Sequence, residues 1–177
     1  MTPAAPGATG PQTEELLPWF TLKGVTGIGN LLFKRLIERF ETPAKVLSAS
    51  RDQLTAVAGI APRLAAAIQR ALPSDEDRRE IDETHRRGFA IVALTAAGYP
   101  ALLREIPDPP PFLYVAGRLE ASSPQIALVG SRNATGYGLR ITRHLARELA
   151  AANVTVVSGM ARGIDTAAHE GALMAQG

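Results

Sequence analysis

The stretch IALVGSRNATGYGLRITRHLARELAAANVTVVSGMARGIDTAAHEGAL, residues 126–173, decides the fold. Ile126 to Val129 is an unbroken apolar run too short for a helix. It stops at Gly130-Ser131-Arg132, a turn that leads into amphipathic helical spacing from Tyr137 to Ala152. Val154 to Val157 repeats the pattern with β-branched residues, ends in Ser158-Gly159 and feeds a second helical segment from near Ile164. Strand, crossover helix and strand make a parallel βαβ unit, right-handed in nearly all cases, whose strands are expected to be buried on both faces. Both glycine loops then fall on one edge of the sheet, beyond the carboxyl ends of the strands, where open α/β sheets take their ligands.

What these loops offer is mostly backbone. Gly130, Gly136, Gly138, Gly159 and Gly163 let main-chain N–H groups come close to a ligand, and each following helix presents its positive N-terminal end. A phosphate is the natural guest. Arg132 and Arg162, one per loop, add charge-assisted bonds to such an anion, and Ser131 and Ser158 add hydroxyl donors. The plain alternative is that the glycines only close tight turns and the arginines are solvated.

The spacing is neither GxGxxG nor GxxxxGK[ST], and no acidic residue stands suitably beyond a second strand to hold a ribose, so an ordinary dinucleotide site has little support. The segments GSRNATGYG and SGMARGIDTAAHEGAL, with the preceding YPALLREIPDPPPFLYVAG, resemble the DNA-processing protein A family (DprA, also called Smf). That resemblance implies an α/β, Rossmann-like, mostly parallel sheet. It also implies a protein that binds single-stranded DNA and hands it to the RecA recombinase in natural transformation.

The 177 residues are 46% apolar and 20% charged, an ordinary globular composition with room for one domain or two small ones. Net charge is only +2 although the pI is near 9.3, and aromatic residues make up 5%, so a nucleic-acid surface has to be a local patch. The absence of cysteine removes disulfide and thiolate chemistry, and three scattered histidines give no metal-ligand spacing. No cofactor is implied. Without a signal-like or membrane-length apolar run, a cytoplasmic location is expected.

Residues 1–12, MTPAAPGATGPQ, read as a disordered leader. Residues 13–73 read as a small helical domain in which VTGIGNLLFKRLIERF is paralleled by VAGIAPRLAAAIQRA, two elements resembling helix-hairpin-helix motifs. Such hairpins hold a phosphate on loop N–H groups, which makes Lys34 and Arg35, on the helix after Gly27 and Gly29, candidate secondary DNA contacts. The second copy carries Ala61 and Pro62 where it departs from the pattern, and the competing reading is a packing module that buries Ile28, Leu32, Leu36, Ile60, Leu64 and Ile68. The resemblance implies a sterile-alpha-motif-like domain with an accessory role here.

Residues 74–88 have a serine cap, acids in the first turn, Arg86 and Arg87 in the last and Gly88 just beyond: a solvated connector helix, or an extension of a phosphate track. Phe89 to Leu94 and Phe112 to Ala116 read as strands flanking the rigid Asp108-Pro109-Pro110-Pro111, so that the Rossmann-like sheet, residues 89–177, begins before the βαβ core. On the crossover helix Arg140, Arg143, His144 and Arg147 share one face and Ile141, Leu145 and Leu149 the other, which makes Arg140 and Arg143 further secondary DNA candidates against the simpler reading of a solvated face.

Asp165 and His169 stand i, i+4 on the last helix, but no nucleophile with an oriented base accompanies them, and Asp165 suits a helix start. Binding rather than catalysis is therefore expected, with no catalytic residue assigned. The chain stops where a further strand is due, which reads as a C-terminally truncated member of the resembled family, with homodimerisation expected for the full-length protein. Two other readings stay open: a nucleotide-phosphate-processing enzyme of the lysine-decarboxylase-like Rossmann superfamily, and a protein-interaction scaffold.

Overall fold

The computed structural model describes residues 13–119 and 124–175. The leader expected at residues 1–12 lies outside them. The chain divides after Leu119 into two compact units.

The first unit is mainly helical: α1 Thr13–Gly24, α2 Asn30–Phe40, α3 Pro43–Leu47, α4 Arg51–Thr55, α5 Pro62–Arg70 and α6 Asp75–Arg86, followed by β1 Ala90–Ala93, α7 Ala101–Glu105 and β2 Phe112–Val115. Sequence signals set most of its boundaries. Thr42 and Ser50 cap α3 and α4 through their side-chain oxygens, and Ser74 forms a reciprocal capping box with Asp77 at the start of α6. Helix α6 closes in a Schellman turn, with Gly88 at φ 77°, its N–H on the His85 carbonyl and the Phe89 N–H on that of Thr84.

The two hairpins are related by an offset that brings each against the other's helix. Gly27 and Gly59 both have positive φ, near 100° and 95°. The Cβ position of Gly27 faces Leu64 at 3.4 Å and that of Gly59 faces Leu32 at 2.7 Å. Leu16, Leu22, Phe33, Leu36, Leu54, Ile60 and Ile68 are buried in the core between them. Burying these apolar side chains is the main stabilising term, about 1.5–3 kcal/mol for each one fully removed from water.

Helix α6, read from the sequence as a connector, has most of its surface exposed but buries Ile81 and Thr84. Ile81 is fully buried, Thr13 donates to Asp82, and Arg78 pairs with Glu14, so α6 packs on α1. Its terminal arginines, Arg86 and Arg87, both pair with Glu83. Strands β1 and β2 also stay with the helices. Phe112 stacks on Phe20 at 4.4 Å, and Ile91, Ala93, Leu94 and Tyr99 join the helical core. The sequence reading puts the domain boundary near Arg87 and expects the sheet that begins at Phe89 to run on into the βαβ core. Instead β1 and β2 form their own antiparallel pair, in register from Ala90 opposite Val115 to Ala93 opposite Phe112. The aromatic face of β2 explains this, because it finds an apolar partner on α1.

The second unit is the βαβα segment: β3 Gln125–Ala127, α8 Gly136–Ala151, β4 Thr155–Val157 and α9 Ile164–Met174. Strands β3 and β4 pair in parallel, Ile126 opposite Val156. This is the incomplete Rossmann-like arrangement that the sequence implied. Helices α8 and α9 pack closely: a Cβ on Gly171 would stand 2.2 Å from the Arg143 carbonyl oxygen, so only glycine fits. Against expectation, the strands are not buried on both faces; Ile126 is 42% and Val157 44% exposed. Among the described residues β3 and β4 each have a single strand neighbour.

Candidate nucleic-acid interface

In the second unit the loop after β3 and the loop after β4 meet. The Ile164 N–H donates to the Ser131 carbonyl at 3.2 Å. A Cβ on Gly163 would lie 2.2 Å from that same oxygen and 2.8 Å from the Arg132 carbonyl oxygen. With φ 82° and ψ −124°, Gly163 also occupies backbone space that other residues avoid.

Ile164 completes the junction. Its Cγ1 stands 2.7 Å from where a Gly130 Cβ would be, and its Cδ1 3.6 Å from that of Gly138. One side chain thus packs the end of β3, the first turn of α8 and the first turn of α9 together. Sequence reasoning passed over Ile164; its place immediately after Gly163, opposite two glycines of the other loop, was the available signal.

The backbone donors of the two loops have different fates. Around β4, Asp165 Oδ2 accepts from the N–H groups of Gly159 at 3.1 Å and Ala161 at 3.3 Å, and the carboxylate is itself buried. The concavity of successive N–H groups that would cradle an external anion is therefore filled by the chain's own carboxylate. Ser158 donates its hydroxyl to the Leu128 carbonyl at 2.7 Å, tying the strand ends. So Ser158 and Gly159 shape the loop, and their donors are spent internally.

The loop after β3 keeps its donors. Thr135 caps α8 by accepting from the Gly138 N–H at 3.2 Å, and Ser131 Oγ accepts from the Asn133 N–H at 3.1 Å. Among the described residues the N–H groups of Gly136 and Tyr137, in the first turn of α8, have no acceptor. These are the orphan donors of a helix start, reinforced by its positive end.

The candidate cations also separate. Arg132, Arg162 and Arg140 are exposed and have no hydrogen-bond or ion-pair partner among the described residues. Arg140 Nη1 folds back to 3.7 Å from the Cβ position of Gly136, over the first turn of α8. Arg143 does not join them. Its guanidinium grips Glu170 of α9 through Nε at 3.0 Å and Nη2 at 2.6 Å. In the first unit, Lys34 donates to the carbonyls of Arg104 and Ile106, and Arg35 to that of Ala58. Arg143, Lys34 and Arg35 thus serve internal contacts, because each has an acceptor within reach that the sequence could not reveal.

Asp165 and His169 do not pair. The Asp165 carboxylate faces its own loop, and His169 Nε2 is buried with no partner among the described residues. Among the described residues no group of acids and histidines is placed to hold a metal ion, and no helix is long and apolar enough to cross a membrane.

Comparison with known proteins places these features. Residues 90–177 match the family described as DNA recombination-mediator protein A, and residues 20–72 match the SAM-like helix-hairpin-helix tandem. The chain is similar to protein Smf of Synechocystis, 32% identical over 164 residues, covering 90% of this chain and 41% of that protein. It is also similar to the DNA processing protein DprA of Bacillus subtilis, 34% identical over 93 residues, covering 51% of this chain and 31% of that one. The chain therefore spans less than half the length of these relatives. The crystal structure of DNA processing protein A from Streptococcus pneumoniae is similar over 90% of this chain and 55% of its own, with a TM-score of 0.64 and 27% identity.

Proposed function

The chain belongs, through residues 90–177, to the DNA recombination-mediator protein A family, and on that premise we propose that it binds single-stranded DNA through its phosphates and passes the strand to the RecA recombinase. The grip is on the rim formed by the loops after β3 and β4. The N–H groups of Gly136 and Tyr137 and the guanidiniums of Arg132, Arg140 and Arg162 hold neighbouring phosphates, with Gly130, Ser131 and Gly163 keeping the rim in shape. Phosphate contacts of this kind set register and affinity and read little sequence.

One observation carries this reading: the Gly163 backbone lies against the Ser131 and Arg132 carbonyls, which sets a loop of free cations and free N–H donors beside a second that carries Arg162. The protein acts by binding and performs no catalysis, in the cytoplasm. The recombinase partner is part of the same proposal and rests on the family membership, whereas homodimerisation is expected of the full-length protein and not of this chain. The helical unit serves as an accessory module.

The test is binding of the chain and of the Arg132→Ala, Arg162→Ala double variant to oligothymidine at several salt concentrations. The variant is expected to bind weaker, with a shallower dependence on salt. Equal affinity of the two proteins at every salt concentration would remove the site.

A further inference from the structure

Phosphate contacts are blind to strandedness, since duplex and single strand carry the same phosphates. A preference for single strands needs a group that touches an unpaired base. The second unit holds one aromatic residue: between positions 120 and 177 there is no Phe or Trp, and Tyr137 is the only Tyr.

Tyr137 stands apart from the other tyrosines. Tyr99 is buried, with its hydroxyl on the Pro110 carbonyl, and Tyr114 donates to Glu80. Tyr137 is 68% exposed, its hydroxyl has no partner among the described residues, and it is not among the residues packed in or against the hydrophobic core. An aromatic ring left in water is explained neither by folding nor by a polar tip that needs a partner. Its position adds the rest. Tyr137 is the second residue of α8, so the ring springs from the same turn whose N–H groups are unsatisfied, and Arg140 folds back over that turn.

We propose that the Tyr137 ring is the stacking platform for the base of the nucleotide whose phosphate sits at the start of α8, and that this contact is the source of single-strand preference. This rests on the phosphate-binding reading above. A base can lie on the ring only when it is unpaired and unstacked from its own neighbours. Because every base has a π-face, the contact discriminates strandedness rather than sequence.

The experiment measures affinity of the full chain and of Tyr137→Leu and Tyr137→Phe for three probes of equal length: oligothymidine, the same backbone with abasic tetrahydrofuran sites, and duplex DNA. Wild type is expected to bind oligothymidine about tenfold tighter than the abasic strand. Tyr137→Leu loses that difference and its preference over duplex, while Tyr137→Phe retains both. The slope of affinity against salt stays the same in all three proteins, because no cation has been removed. Equal binding of wild type to oligothymidine and the abasic strand overturns the platform, as does a base preference that survives Tyr137→Leu. Neither result touches the arginine site, whose failure shows separately as an abasic strand bound equally by wild type and the Arg132→Ala, Arg162→Ala variant. Circular dichroism of the exposed-site variants confirms that the fold is kept.

Discussion

Gly163 and Ser131 are in backbone contact, the former so near the latter's carbonyl oxygen that a Cβ would stand 2.2 Å away. Gly163→Ala therefore has to displace one loop from the other as well as adopt glycine-only dihedrals. The expected cost is about 3 kcal/mol, seen as a lower midpoint in urea unfolding, together with weaker oligothymidine binding. A variant as stable as wild type would mean that the loops do not meet.

Asp165 occupies the turn after β4 as an internal anion, bonded to the N–H groups of Gly159 and Ala161. Asp165→Ala leaves both donors without an acceptor and is expected to destabilise by about 2 kcal/mol. Added sulfate should then recover more stability in the variant than in wild type, since the vacated concavity accepts an external anion. If sulfate raises the melting temperature of both proteins equally, the carboxylate is not what fills the turn.

Arg140 and Arg143 lie one turn apart on α8 and are predicted to behave differently. Arg140→Ala removes a free cation over the helix start, lowering the salt slope of single-strand binding by about 0.7. Arg143→Ala breaks the part-exposed pair with Glu170 and costs up to about 1 kcal/mol of stability with no change in slope. Equal slopes in the two variants would return both residues to the class of solvated helix charges.

Met160 sits between Gly159 and Ala161 at φ 59°, in the left-handed region, with its side chain 80% exposed. Nothing in the fold rewards that conformation in a methionine. Met160→Gly is expected to stabilise by about 1 kcal/mol, measured as a higher unfolding midpoint. A loss of stability would show that the thioether makes a contact the exposed position conceals.

Much of this molecule is written locally. The capping box at Ser74, the stop at Gly88, the paired hairpins around Gly27 and Gly59 and the βαβ order from Ile126 onward follow from residue spacing, because caps, turns and periodicity act within a few residues of each other. The meeting of the two glycine loops was legible as well, since two parallel strands end on the same edge of the sheet. Which donors and cations remain free was not. Ser158, Gly159, Arg143, Lys34 and Arg35 have the same chemistry in the sequence as their unpaired counterparts, and only the placement of Leu128, Asp165, Glu170, Arg104 and Ala58 in space decides that they are occupied. The same holds for β1 and β2, whose strands were visible but whose partner was chosen by Phe112 finding Phe20. Covalent neighbourhood fixes local form, whereas the competition among distant acceptors and apolar faces is settled only when the chain is packed.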